Sequence, residues 1–323
     1  TANLVGKYEY EASSNSYFSL WQEYYRTIMR ANTVIKNIES IPVTPSQEAQ
    51  KDDILGQAYA VRALCYFDLA RLYGKSYLVD KSSLGAVLLT TPAAPSEANA
   101  PRATVEETYK LIVDDIEAAL PLLTKSKNTG HMNYWACLFL KAKVALYMGE
   151  YAKALAAAES VITDSPYALI SASDYIASWA EVGNDETIFE GLVNILSPID
   201  GDNGFGGSMY QYLWFGDVNS GHSLIPTKKW RDLITATPGD VRANWLQDDT
   251  KYDTGKKWLK KFPGNPGCTC RLNNPRIMRM PEAYYIAAEA ALLTSNQSAA
   301  NNYLNAVIYM RNPTASAVTA TLA

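Results

Sequence analysis

Apolar residues recur three and four positions apart over most of the chain, the spacing of one face of an α-helix. In WQEYYRTIMRANTVIKNI, residues 21–38, Trp21, Tyr25, Ile28, Met29, Val34, Ile35 and Ile38 fall mostly on one stripe, and Pro42 and Pro45 end the region. Residues 52–74 place Leu55, Tyr59, Cys65, Leu69 and Leu72 on a face, with acids at the start, Arg71 in the last turn and Gly74 as a stop. Residues 104–123 open with Thr104 and Glu107 in capping-box spacing, followed by Tyr109, Ile112, Val113, Ile116 and Leu120 at helical period. A further helix is expected over 132–148. Residues 281–313 predict a pair: a helix starting at Pro281, a polar break, then a second helix through Ala300, Leu304 and Val307.

The stretch YMGEYAKALAAAESVITDSP, residues 147–166, carries more information than its neighbours. Glycine is a poor helix former and alanine the best, so Gly149 reads as a turn between two helices, with Pro166 closing the second. Ala154, Ala158 and Val161 share a face small enough for another helix to approach closely. Counted from Gly149, the tyrosine at +2, the alanine at +5 and the proline at +17 resemble the tetratricopeptide repeat, a helix–turn–helix unit that stacks on its copies. An ordinary helical hairpin fits the same residues.

Residues 171–280 break the pattern. SPIDGDNGFGGSMYQYLWFGDVNSGHS (197–223) and FPGNPGCTC (262–270) are rich in turn formers. Long irregular segments between helices carry function more often than packing. ETIFEGLVN (186–194) predicts a strand or a buried extended piece. The expected organisation is an all-α, repeat-like scaffold over 1–170, an irregular ligand-binding portion over 171–280, and a C-terminal helical pair over 281–323 that packs on the scaffold.

Composition narrows the function. The net charge of -4 over 323 residues, with no long basic run, argues against nucleic acid as a partner. No apolar run reaches the roughly 18 residues of a membrane span. The first residue is Thr1 and no signal peptide is visible, so any targeting segment is expected to have been removed. Only His131 and His222 are present, without an HExxH, GxSxG or P-loop pattern. GDNGFGG lacks the following Gly-Lys-Ser/Thr of a phosphate cradle. Cys268 and Cys270 form a CxC without a partner pair, better suited to a surface loop or a local disulfide than to a metal. Cys65 and Cys137 read as core residues. The adjacent carboxylates Asp114–Asp115 and Asp248–Asp249 diverge on a helix and read as solvated faces. Neither a cofactor, a metal nor a catalytic residue is expected.

Tyrosine is the outlier, with 22 residues beside 7 tryptophans. Both pair an apolar body with a polar tip, which suits wet binding surfaces as well as cores. In MYQYLWFGDVN (209–219), Tyr210, Tyr212 and Trp214 alternate and share one side of an extended segment. A flat aromatic such as these or Phe215 buries the apolar face of a pyranose, while Gln211, Asp217 and Asn219 satisfy its hydroxyls. The same alternation also fits the core face of a buried strand. Tyr17 and Phe18, in the serine- and asparagine-rich lead, are secondary candidates. Trp245 and Trp258 read as residues that cover the scaffold.

Taken together and in order, YYRTIMRANTVIKNI, AYAVRALCYFDLARLYG, RATVEETYKLIVDDIEAALPLL, KAKVALYMGEYAKALAAAESVI, NDETIFEG and RIMRMPEAYYIAAEAAL resemble the SusD/RagB family of Bacteroidetes outer-membrane nutrient-binding proteins. The resemblance implies tetratricopeptide-like helical pairs that support an irregular portion. It also implies an extracellular, lipid-anchored protein that captures oligosaccharide or polysaccharide on a TonB-dependent SusC-like transporter and is not an enzyme. Aromatics in loops commonly bind ligand in this family, which favours the 209–219 cluster as a platform. The family opens with a lipidated cysteine and continues past the last helical pair, so this chain is expected to be trimmed or a short member. The alternative function is a helical scaffold whose concave groove binds a peptide or protein.

Overall fold

The computed structural model describes residues 18–92, 100–192, 226–248, 257–259, 261–263 and 273–322. Helices dominate these residues: α1 Phe18–Asn37, α2 Glu48–Tyr73, α3 Val105–Ala119, α4 Tyr134–Tyr147, α5 Tyr151–Asp164, α6 Lys228–Thr235, α7 Met280–Leu293 and α8 Gln297–Tyr309. The all-α, tetratricopeptide-like architecture expected from the sequence is what the chain adopts. The short α6, capped by the Thr227 hydroxyl on the Trp230 amide, lies within the stretch expected to be irregular. No helix among the described residues is long and apolar enough to cross a membrane.

Local chemistry sets the helix ends. Thr104 and Glu107 form the reciprocal capping box at the start of α3. Gly149 takes a φ of +77°, the left-handed turn that glycine adopts without strain, between α4 and α5. α2 begins earlier than its hydrophobic pattern suggests, because a 3-10 turn at Pro45–Gln47, with its own Thr44–Gln47 box, leads straight into it.

Neighbouring helices pack in sequence, α1 on α2, α2 on α3, α3 on α4 and α4 on α5, with α7 then on α5 and α8 on α7. Ala154, Ala158 and Val161 have no exposed surface, so the small face of α5 is filled by its neighbours. On α7, Ala283, Ala287 and Ala290 are equally enclosed. The Tyr303 hydroxyl of α8 donates to Glu159 of α5 at 2.6 Å, tying the C-terminal pair to the hairpin before it.

Many tyrosines are interior struts. The extended segment after α2 crosses the α1–α2 pair, and the Tyr25 hydroxyl accepts from the Val87 amide at 2.7 Å and donates to the Val87 carbonyl at 3.0 Å. Tyr66 does the same for Leu89, at 2.7 and 2.9 Å. Asn32 Nδ2 adds bonds to the carbonyls of Leu89 and Thr91.

The Asp114–Asp115 expectation needs correction. Asp114 is exposed beside Lys110, whereas Asp115 is buried and takes both arms of the Arg62 guanidinium, Nε at 2.8 Å and Nη2 at 2.6 Å. Arg62 Nη1 also donates to Asn32 Oδ1 at 2.7 Å. One residue of the doublet points out and the next points in, as the helical rotation between neighbours demands. Cys65 and Cys137 are free thiols in the core, as their apolar faces predicted.

The remaining described residues form two small antiparallel sheets. β1 Thr187–Glu190 pairs with β4 Arg276–Arg279, and β4 runs directly into α7. β2 Leu246–Asp248 pairs with β3 Lys257–Leu259. The strand predicted in 186–194 is therefore β1.

Candidate functional site

The predicted platform residues Tyr210, Tyr212, Trp214, Phe215, Asp217 and Asn219, together with Tyr17, lie outside the described residues. Gln211, His222, Cys268 and Cys270 do too. What the structure describes is the mount from which the 193–225 segment departs and to which it returns, Gly191–Leu192 on one side and Pro226–Thr227 on the other.

The departure point is tightly specified. The Glu190 amide donates to the Thr129 carbonyl at 2.8 Å, and Glu190 Oε1 accepts from the Thr129 hydroxyl at 2.9 Å and from the Gly183 amide at 2.7 Å. One residue later the Gly191 amide donates to the Pro275 carbonyl at 3.0 Å. Leu192 then lies on Gly130, where an added Cβ would stand 2.3 Å from Leu192 Cδ1. A larger residue at 130 would push the Leu192 side chain aside.

Behind this root, a buried ion pair joins β1, β4 and the end of α8. The Glu186 carboxylate accepts from Arg279 Nη2 at 2.6 Å on one oxygen and from Arg311 Nη2 on the other. The same carboxylate accepts from the Ile170 amide at 3.0 Å, and Arg311 Nη1 returns a bond to the Ile170 carbonyl. A buried carboxylate with this many donors fixes three chain segments at once.

Beside it is a second apolar core of Ile170, Tyr175, Trp179 and Trp245, with Phe262 against it. Trp179 meets Trp245 edge-on at 5.6 Å and Phe262 edge-on at 5.5 Å. Three cations gather over the Trp179 ring: Lys261 Nζ at 4.2 Å, Arg276 at 4.4 Å and Arg279 at 4.7 Å. Arg311 covers Tyr175 at 3.7 Å. The aromatic faces stabilise these charges, while burial opposes them. Burial, reinforced by the surrounding arginines, pushes the Lys261 ammonium down to about 8, and burial with Arg279 nearby brings Arg276 to about 10.

Trp179 and Trp245 are 6% and 4% exposed, so neither ring is available to stack on a ligand. Trp245 was expected to cover the scaffold; it is buried instead in this second core, against Tyr175 and Trp179. Trp179 and its cations escaped the sequence reading, although Tyr175 and Trp179 are spaced by four and Arg276 and Arg279 flank the start of α7. Nothing in one sequence says that residues a hundred positions apart converge.

Comparisons with known proteins agree with this geometry. A SusD-like family model, described as starch-binding and associating with the outer membrane, matches residues 2–146. A SusD-like protein of Formosa agariphila is 29% identical over 277 residues, which are 82% of this chain and 48% of that protein. A solved SusD superfamily protein of Bacteroides thetaiotaomicron matches with a TM-score of 0.80 and 32% identity, over 91% of this chain and 66% of its own. Another, of Bacteroides vulgatus, matches with a TM-score of 0.79 and 32% identity, over 91% of this chain and 67% of its own. The chain thus spans about half the length of the first curated relative.

Proposed function

The chain belongs to the SusD-like family, and from that premise we propose that it is a glycan-binding subunit of an outer-membrane nutrient importer. It captures oligosaccharide at the cell surface and passes it to a TonB-dependent, SusC-like transporter, without breaking a glycosidic bond. Membership carries the reading: the identity to SusD superfamily proteins of Bacteroides extends over nine-tenths of this chain. The lipid anchor and the extracellular face belong to the same proposal.

The division of labour we propose follows from the mount. Helical portions over 1–170 and 281–323 hold an irregular portion, 171–280, whose root is fixed by Glu186, Glu190 and Gly130. Since Trp179 and Trp245 are consumed in the core of that portion, stacking is assigned to Tyr210, Tyr212, Trp214 and Phe215. Asp217 and Asn219 supply hydrogen bonds, and Tyr17 is a further aromatic contact. A rigid mount lowers the ordering cost of binding.

Calorimetry against neutral and acidic polysaccharides, with reducing ends assayed in parallel, tests the reading. Saturable heat with no reducing ends above background is expected, as is co-purification of a transporter from native membranes. Binding to peptides alone, or steady release of reducing ends, overturns it.

A further inference from the structure

At the start of α2, facing the turns that lead into α4, is a cavity of about 320 Å³ away from the aromatic core. Its walls include Gln50, Asp53, Gln57, Thr124, Asn128 and His131. The volume is at the lower end of small-ligand pockets.

A relay fixes the polarity of this cavity. Asp53 Oδ1 accepts from the Thr124 amide at 2.8 Å and Oδ2 accepts from Gln57 Nε2 at 2.7 Å. A carboxylate only accepts, so the Gln57 NH₂ must face Asp53 and its Oε1 must face His131, whose Nδ1 is 3.1 Å away. That oxygen also only accepts, so Nδ1 carries the hydrogen. In the neutral tautomer with that hydrogen, Nε2 is a lone pair. His131 Nε2, the Gln50 amide, the Thr124 hydroxyl and Asn128 Nδ2 are on exposed side chains and make no hydrogen bond to another described residue.

The set mixes donors with acceptors, and Asp53 beside it keeps its negative charge, because both of its donors are neutral amides. An anion finds no lysine or arginine in the wall and meets the Asp53 carboxylate instead. A vicinal diol, with a donor and an acceptor on each hydroxyl, matches the set. The exposed side chain of Ile54 adds an apolar wall for C–H groups, and that wall continues into an adjoining groove lined by Val34, Ile38 and Val43. Asn128 and His131 are within two residues of Gly130, on which Leu192 lies. The cavity is thus beside the root of the 193–225 segment.

We propose that this cavity is a second saccharide subsite, built on the helical scaffold, that binds a vicinal diol of a neutral glycan. It rests on the glycan-binding reading above but uses none of the platform residues. The chain has two histidines, so imidazole NMR resonances assign from one His131→Gln variant. The intact chain is titrated with maltotriose and, separately, with laminaritriose, while tryptophan emission is followed in the same samples. A saturable shift of the His131 resonances with either sugar is expected. Asn128→Ala should weaken that event at least fivefold, and Gln57→Leu should weaken it similarly by freeing the ring. A tryptophan response with His131 unmoved overturns the subsite and leaves the platform standing. Silence of both probes overturns the subsite and counts against glycan binding altogether.

Discussion

Lys261 is a charge that the folded chain holds at a cost. Its ammonium lies over Trp179 and Trp245, among Arg276, Arg279, Arg242 and Arg311, and its pKa is brought from 10.5 to about 8, chiefly by burial. At about 1.4 kcal/mol per pH unit, that gap is worth about 3 kcal/mol against the folded state while the lysine stays protonated. The unfolded chain binds the extra proton between pH 8 and 10.5, so native stability rises with pH across that window and the cost is at its full value below pH 8. Lys261→Met keeps the apolar stem and removes the charge. Urea denaturation should find the variant more stable by about 2–3 kcal/mol at pH 7, less the cation–π attraction it forfeits, of about 0.5–2 kcal/mol. The advantage should shrink through pH 9 and vanish near pH 10.5. Tyrosines that titrate in the same range affect both proteins alike and cancel in the difference. A variant that is less stable at pH 7, or whose advantage does not depend on pH, refutes the argument.

Asp115→Ala leaves the Arg62 guanidinium buried without its carboxylate and should cost about 3–5 kcal/mol, read as a lower urea midpoint. Ala154 has no exposed surface, so Ala154→Phe should overpack the helix interface and cost about 1–3 kcal/mol; an unchanged midpoint speaks against close packing there. Trp214→Ala should weaken oligosaccharide binding by about 1–3 kcal/mol with thermal stability nearly intact. A stability loss of about 3–5 kcal/mol with unchanged affinity in the folded fraction would place the indole in a core instead.

What could be read from the chain was local. Gly149, the Thr104–Glu107 box and the alanine face of α5 each act within a turn or two, so their spacing alone announced them. Asp115 could not be read this way, because its meaning depends on Arg62, fifty-three residues earlier and on another helix. The tyrosine surplus was legible as a number but not as a role. Tyr25 and Tyr66 serve an extended segment that no periodicity links to them. Trp179 collects its cations from β4 and from the chain beyond β3, a convergence that exists only after folding.

The strap over α1 and α2 has a further consequence. An isolated extended segment ordinarily leaves a row of amides and carbonyls open to any passing strand, which invites a second chain to pair with it. Here Val87 and Leu89 direct both their backbone groups at phenolic hydroxyls, each of which donates and accepts as a neighbouring strand would. Two side chains thus imitate the hydrogen-bond ladder of an absent partner, and that row of the strap offers nothing to recruit. Such a scaffold can carry an extended segment without becoming a seed for aggregation.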